Sequence, residues 1–463
     1  MITSTGIGSG IDIDTLVTGL VDAERQPLER RISESEDRAN ALLTGFSTLS
    51  SSLTSVGTVV TELATASTFQ ATTTVATSTD AFTVSSDTSA TPGSYNLSVT
   101  DIAKAQTLSS KTYSATTDVI GTGTLSLTVG SNAAVSVAVD ATSNTLTGVR
   151  DAINAANAGV TASVVKDGSA YRLLLTTPTG ASNTVSIAVT SDGDGADTGD
   201  GGLSALNYHA GDSQMVQRQA AQDASFSING LPLTSSTNTI TDVIDGIDLN
   251  LKQATASPVT VTVARDTDSV VAKLESFVSL YNSFHSSAKS LTKYDSATQT
   301  AGVLQGDFTA KAVLTQMRQS LSETVTGSSL SSLSAVGIQL NAKGELEFNK
   351  ANFLTAWSAD ADAVEEFFAG STSVTSGFAD SLDGKLDAIL SSTGSLSSRT
   401  TSLNTELTEA TAERAALETR MDKIEARYLR QFNAMDALVA ELTSTGDFLS
   451  TQFDMLSGIF DKD

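Results

Sequence analysis

Residues 403–442 read LNTELTEATAERAALETRMDKIEARYLRQFNAMDALVAEL. Leu403, Ala410, Leu417, Ile424, Gln431 and Leu438 recur every seven residues. A companion series follows four residues behind: Leu407, Arg414, Met421, Tyr428, Met435 and Leu442. Only Gln431 and Arg414 break the apolar pattern. Glu406, Glu409, Glu413, Glu418 and Glu425 mix with Arg420, Lys423 and Arg427 beside it. Two apolar positions per heptad with mixed charges alongside predict a long helix whose narrow seam needs a partner helix.

The other end of the chain carries a matching pattern. Leu28, Ile32, Ser35, Ala39, Leu42, Phe46, Leu49, Leu53, Val56, Val60 and Leu63 follow in alternating steps of four and three. Ser35 is its one polar break. Helix is expected from near Asp14, and Pro27 suits the first helical position of the seam, because its fixed φ matches a helix start. Gly45 and Gly57 predict a bend or a close crossing. The two seams most simply pack on each other, and they fit helices of another subunit or another protein equally well.

Between these ends the composition changes. No Glu occurs from Glu62 to Glu275, and the interval is rich in Thr, Ser, Val, Gly and Asn. Glu favours helices and is depleted in strands. Strands are expected in short runs within Thr72–Thr100, then at Thr124–Val129 and Val135–Val139. A short helix through Leu146, Val149, Ile153 and Ala156 follows, with a hairpin around Asp167-Gly168 and a strand at Thr184–Val189. An acidic loop, Asp192 to Gly202, closes this module. Strands resume at Ala224–Ile228, turn at Asn229-Gly230, and continue at Val243–Leu251 and Val259–Val263. Helix returns from Asp268. The fold class is therefore multidomain α+β, with terminal helices paired as a coiled coil or bundle and β-rich domains inserted between them.

Composition removes several kinds of chemistry. Lys and Arg total 27 against 52 Asp and Glu, a formal net charge of −25. Such a chain is repelled by phosphate backbones and anionic lipid, so neither nucleic acid nor membrane insertion is expected. Cysteine is absent, which excludes disulfides, thiolate metal sites and thiol nucleophiles. His209 and His285 lie in no metal or charge-relay spacing, and His285 reads as a core histidine. Gly6-Ile7-Gly8-Ser9-Gly10 lacks the preceding strand, the spacing and the Lys of a phosphate loop. Asp192, Asp194, Asp197 and Asp200 depart from the EF-hand template at Ala196 and lack its closing glutamate, so a solvated loop is expected. Trp357, the only tryptophan, reads as a packing anchor. No catalytic residue, cofactor site or metal site is expected, and the chain is read as non-enzymatic. Met1 to Leu20 has no Lys or Arg and no continuous apolar core, so export without a cleaved signal peptide is expected.

Several stretches resemble one family. Gly6-Ile7-Gly8-Ser9-Gly10-Ile11-Asp12-Ile13-Asp14-Thr15-Leu16-Val17 is similar to the start of the flagellar filament cap (hook-associated protein two) family. The stretches Gly93 to Gln106, Asp223 to Gly230, Phe277 to Asn282, Leu304 to Asp307, and Val336 to Phe348 resemble it in the same order. Thr145 to Leu175, with Ala152-Ile153-Asn154 on its helix, resembles a motif of flagellins and hook-associated proteins.

The resemblance implies a non-enzymatic ring at the distal tip of the flagellum, outside the cell, under which exported flagellin is placed. A pentamer is the ring size it implies. It implies flagellin, the hook–filament junction protein and a cytosolic export chaperone at the C-terminal helix as partners. A flagellin-like or junction structural protein is the alternative reading. Adhesion to host glycans through the β domains is a further activity compatible with capping. The expected domains are a leg, 1–40 with 410–463; an inner helical domain, 41–70 with 268–409; a β-rich domain, 71–112 with 217–267; and an outer β-rich domain, 113–216. The residues expected to mediate self-assembly or partner binding are Leu28, Ile32, Leu42, Phe46, Leu49, Leu417, Met421, Ile424, Tyr428, Met435, Leu438, Phe448, Phe453 and Leu456.

Overall fold

The computed structural model describes residues 10, 12–297, 299–371 and 376–460. The glycine stretch before Gly10, Ile11, and the side chains of Leu456, Ile459 and Phe460 lie outside the described residues. The chain divides into two compact units, Met1–Ala66 with Ser269–Asp463, and Ser67–Asp268.

In the first unit a helix of 51 residues, Ile13–Leu63, starts at Asp12. The Asp12 carboxylate accepts from the Thr15 amide at 3.1 Å and its hydroxyl at 2.7 Å. This caps donors that have no partner inside the helix. Pro27 is therefore interior and does not start the helix. Its missing N–H leaves the Ala23 carbonyl without a helical donor, but both residues are exposed, so water can satisfy it. Gly45 marks a close crossing: a Cβ there would lie 2.8 Å from Val303 Cγ2. Gly57 has no such neighbour, since the nearest atom would be 4.0 Å away.

Helices Thr267–Thr292, Phe308–Leu321, Lys350–Ala359, Ala361–Ala369 and Phe378–Leu390 build most of the rest of this unit, together with the C-terminal helix Ser395–Phe460 and two small hairpins, Tyr294–Asp295 with Thr300–Ala301 and Ile338–Leu340 with Leu346–Phe348. Phe367 stacks on Phe378 at 5.9 Å, and Phe277 meets Phe378 edge-on at 6.2 Å. Trp357 is buried and stacks on Phe353 at 5.8 Å. His285 is buried, stacked on Tyr281, with the Gly344 turn against its ring. Burial, with Lys289 nearby, holds its pKa below the usual imidazole range. These contacts account for the histidine as packing.

The second unit is β-rich and has two cores. One lies under a five-stranded antiparallel sheet, ordered Thr72–Ala76, Val259–Arg265, Gly93–Asp101, Ala224–Ile228, Leu231–Ser235. A three-stranded sheet, Thr239–Ile244, Ile247–Leu251 and Phe82–Ser86, shares that core. The Asn229-Gly230 turn joins Ala224–Ile228 to Leu231–Ser235, a strand that Pro232 hides in the sequence. Pro is tolerated there because the strand is at the sheet edge. Val243–Leu251 is not one strand: it breaks at Asp245-Gly246, where Gly246 takes φ +68°.

The other core joins a five-stranded sheet, ordered Asp212–Ser213, Tyr208–His209, Val185–Asp192, Gly123–Val129, Val135–Val139, and a four-stranded sheet, ordered Val216–Gln219, Ala105–Ser109, Ala170–Thr179, Thr161–Asp167, to the helix Leu146–Ala155. Asn154 ties that helix to its neighbouring strand, donating to the Ala162 carbonyl at 2.9 Å and accepting from its amide at 2.7 Å. Asp192 is not solvated as expected of the acidic loop. It is buried and accepts from the Ser204 amide at 2.8 Å and hydroxyl at 2.9 Å, which anchors the turn Leu203–Leu206.

Two outcomes follow. A fragment of residues 67–268 should fold alone, with a circular dichroism spectrum dominated by β structure and one or two cooperative transitions; a mostly helical or unfolded fragment would contradict the division. Tyr113 buries a hydroxyl that has no hydrogen-bond partner among the described residues, and burial pushes its pKa up to about 12. Tyr113→Phe should therefore leave the fragment as stable or more stable, by about 1 kcal/mol, in urea unfolding.

Candidate assembly interface

The two long helices of the first unit run antiparallel. Arg25 pairs with Glu418 at 2.8 Å and Arg31 with Glu413 at 3.8 Å, while the Tyr428 hydroxyl donates to Glu24 at 2.7 Å. Partner numbers rise in one helix as they fall in the other. Ile13, Val17, Val21, Ile32, Ala410, Leu417, Met421 and Ile424 are buried together, with Leu28, Tyr428, Leu429 and Phe432 half-buried around them. Each fully buried large aliphatic side chain contributes about 1.5–3 kcal/mol, so the pair is held mainly by this narrow seam.

Arg414, the polar break in the seam, bridges the two helices. Its guanidinium reaches Glu36 at 2.6 Å, Glu29 at 3.4 Å and the Ser33 hydroxyl at 3.1 Å. Glu29 and Glu36 are seven residues apart, so both face it from one side of the N-terminal helix. Its stem packs at the seam while its head stays at the rim. The bond to Glu24 pushes the Tyr428 hydroxyl above the usual phenol range, and Arg427 lies 5.1 Å from the Tyr428 ring centre.

The seam shifts by one residue beyond Tyr428. Phe432, Asp436 and Val439 turn inward, whereas Gln431, Met435 and Leu438 are exposed. A straight α-helix drifts about 20° per heptad relative to a strict seven-residue repeat. Four heptads after Leu403 that drift amounts to nearly one position. The seven-residue series is therefore correct up to Tyr428 and misplaced after it.

Past the seam every described residue from 440 to 455 is exposed. Leu442, Phe448, Leu449, Phe453 and Met455 expose 50–70 % of their surface. The expected site residues thus fall into three groups. Leu28, Ile32, Leu417, Met421, Ile424 and Tyr428 come together in the helical pair. Phe46 and Leu49 are buried and serve the packing of their own chain, with Leu42 half-buried beside Arg38 and Phe308. Met435, Leu438, Phe448 and Phe453 are open. Phe308, 84 % exposed at the start of its helix, gave no periodic signal in the sequence.

The architecture defines a class of multidomain α+β proteins whose two chain ends pair as helices around a β-rich insertion. Within it, the chain belongs to the flagellar hook-associated protein 2 family. Residues 9–106 match the flagellar hook-associated protein 2 N-terminus, 221–444 its C-terminus, and 124–179 the flagellin hook IN motif. Flagellar hook-associated protein 2 of Escherichia coli K12 is 34 % identical over 98 % of both chains. The B-type protein of Pseudomonas aeruginosa PAO1 is 29 % identical over 95 % of both. The solved D1-D2-D3 domains of the flagellar cap protein FliD from Escherichia coli superpose with TM-score 0.66 at 32 % identity, covering 78 % of this chain and 99 % of that one.

Replacing Leu417 and Ile424 together by Asp should separate the helical pair. Each buried, unpaired carboxylate costs several kcal/mol, or takes up a proton instead. Helical signal and thermal stability of the first unit should fall, while the β-rich unit keeps its own transition in calorimetry.

Proposed function

We propose that this protein caps the distal end of a flagellar filament, outside the cell, as a ring of identical copies. Exported flagellin is inserted and polymerises beneath the ring, and motility depends on it. The protein acts mechanically, without catalysis, cofactor or metal. In this reading residues 1–40 and 410–463 form the leg, and 41–70 with 268–409 the inner helical domain. The β-rich residues 71–112 with 217–267, and 113–216, form the plate of the cap. A pentamer is the ring size that the family resemblance implies.

One observation carries the reading. The C-terminal helix continues well past the end of its partner and keeps an apolar stripe open to solvent. A narrow exposed stripe of this kind is stabilised only when another helix covers it. Its partners are other copies of the chain, flagellin, the hook–filament junction protein and, before secretion, a cytosolic export chaperone. The flagellin-like alternative is less well supported, because the match to hook-associated protein 2 relatives runs along nearly the whole of both chains.

Leu442→Asp with Phe453→Asp tests the proposal, since both side chains are exposed and the fold has no need of them. In a strain lacking its own cap protein, the parent chain should restore swimming. The double variant, secreted at the same level, should leave unpolymerised flagellin in the medium and restore little motility. Normal swimming with the variant would overturn the reading.

A further inference from the structure

The chain has no cysteine and six methionines, so thioethers are its only sulfur. Met1 lies outside the described residues. Met215 is 3 % exposed in the core around the helix Leu146–Ala155, and Met317 and Met421 are 1 % exposed in the helical unit. Met435 and Met455 expose 40 % and 57 %, both on the C-terminal helix. Among the described residues, the sulfur open to a dissolved oxidant is therefore confined to the end of that helix.

Met421 and Met435 belong to one series of seven-residue steps, with Tyr428 between them. Residue order treats them alike. Met421 is covered by the N-terminal helix, whereas Met435 has passed beyond the seam. Met435 shares a face with Leu442 and Leu449, one and two heptads further on, and five turns of 3.6 residues carry that face to Phe453. All four side chains are exposed. Met455 faces another way: it stands seven residues after Phe448 and about half a turn out of phase with Met435.

Hydrogen peroxide passes one oxygen atom to a methionine sulfur, which is oxidised to the sulfoxide while the peroxide is reduced to water. The product is polar, and an apolar contact that buries it must strip water from the new S=O group. We propose that Met435 is an oxidation switch on the open stripe: its sulfoxide blocks docking of this face on a partner and leaves the fold of the chain intact. Met215, Met317 and Met421 are shielded by packing, so oxidant reaches the docking face first. Met455 is equally reachable and lies on another face, so its oxidation leaves docking unchanged. The inference rests on the self-association proposed above and adds its regulation.

Peroxide treatment of the folded full chain tests it, with peptide mass spectrometry following each methionine. Met435 and Met455 should form sulfoxide about tenfold or more faster than Met215, Met317 and Met421, and urea should erase the difference. Sedimentation velocity before and after oxidation reads self-association. The parent and Met455→Leu should both lose affinity by about tenfold or more on oxidation. Met435→Leu keeps the apolar volume without the reactive sulfur, so it should assemble equally before and after. Methionine sulfoxide reductases should restore the oxidised parent. Circular dichroism should not change, and loss of helix on oxidation would contradict the switch. Equal oxidation of all five methionines in the folded chain would overturn the shielding. A parent that assembles normally with Met435 fully oxidised would overturn the switch and leave self-association standing. A parent that is monomeric at every concentration before oxidation would remove the self-association, and the switch with it.

Discussion

The antiparallel contact between the first and last long helices is the interaction on which this architecture depends. Its seam is only two residues wide per heptad, from Ile13 to Ile32 on one side and Ala410 to Ile424 on the other. Apolar burial supplies the attraction, and Arg25, Arg31, Arg414 and Tyr428 fix the register by reaching specific carboxylates across the gap. Exposed ion pairs of this kind contribute little to stability, so their effect is mainly on alignment. Joining the two ends of the chain closes a loop of several hundred residues. That loop is tolerable because the residues within it fold on two cores of their own.

Deeper in the same unit the helices become a true core. Phe46, Leu49, Leu53 and Val56 are buried, and the Val303–Leu304 segment packs directly against Gly45. Phe277, Phe367 and Phe368 all pack against Phe378 in the same unit. Along the N-terminal helix the packing thus passes from a two-helix seam to a many-helix core. The C-terminal helix passes from that core, through the seam, to full exposure.

Much of the β unit could be read from turn chemistry and alternation, as at Asp167-Gly168 and Asn229-Gly230. Leu231–Ser235 was hidden because Pro232 normally argues against a strand, and only its place at the edge makes it acceptable. Asp192 looked like one of several solvated carboxylates. It differs from its neighbours because the chain returns to it twelve residues later, placing the Ser204 amide and hydroxyl on it. Phe308 and Asp436 carried no signal at all, since exposure of an aromatic and burial of an acid both run against residue preference.

The sequence by itself determined the helical ends, the β-rich middle and the two seams. These properties are local or periodic, and periodicity of burial is written directly into residue order. Only the tertiary structure decided where the C-terminal seam leaves its partner. Helix length, the position of Asp12 as the start of the opposing helix, and the 3.6-residue turn together shift the inward face from Gln431 to Phe432. A strict seven-residue count cannot show that shift, because it assumes a partner along its entire length. The partner ends first, and from residue 440 onward the same helical pattern faces water.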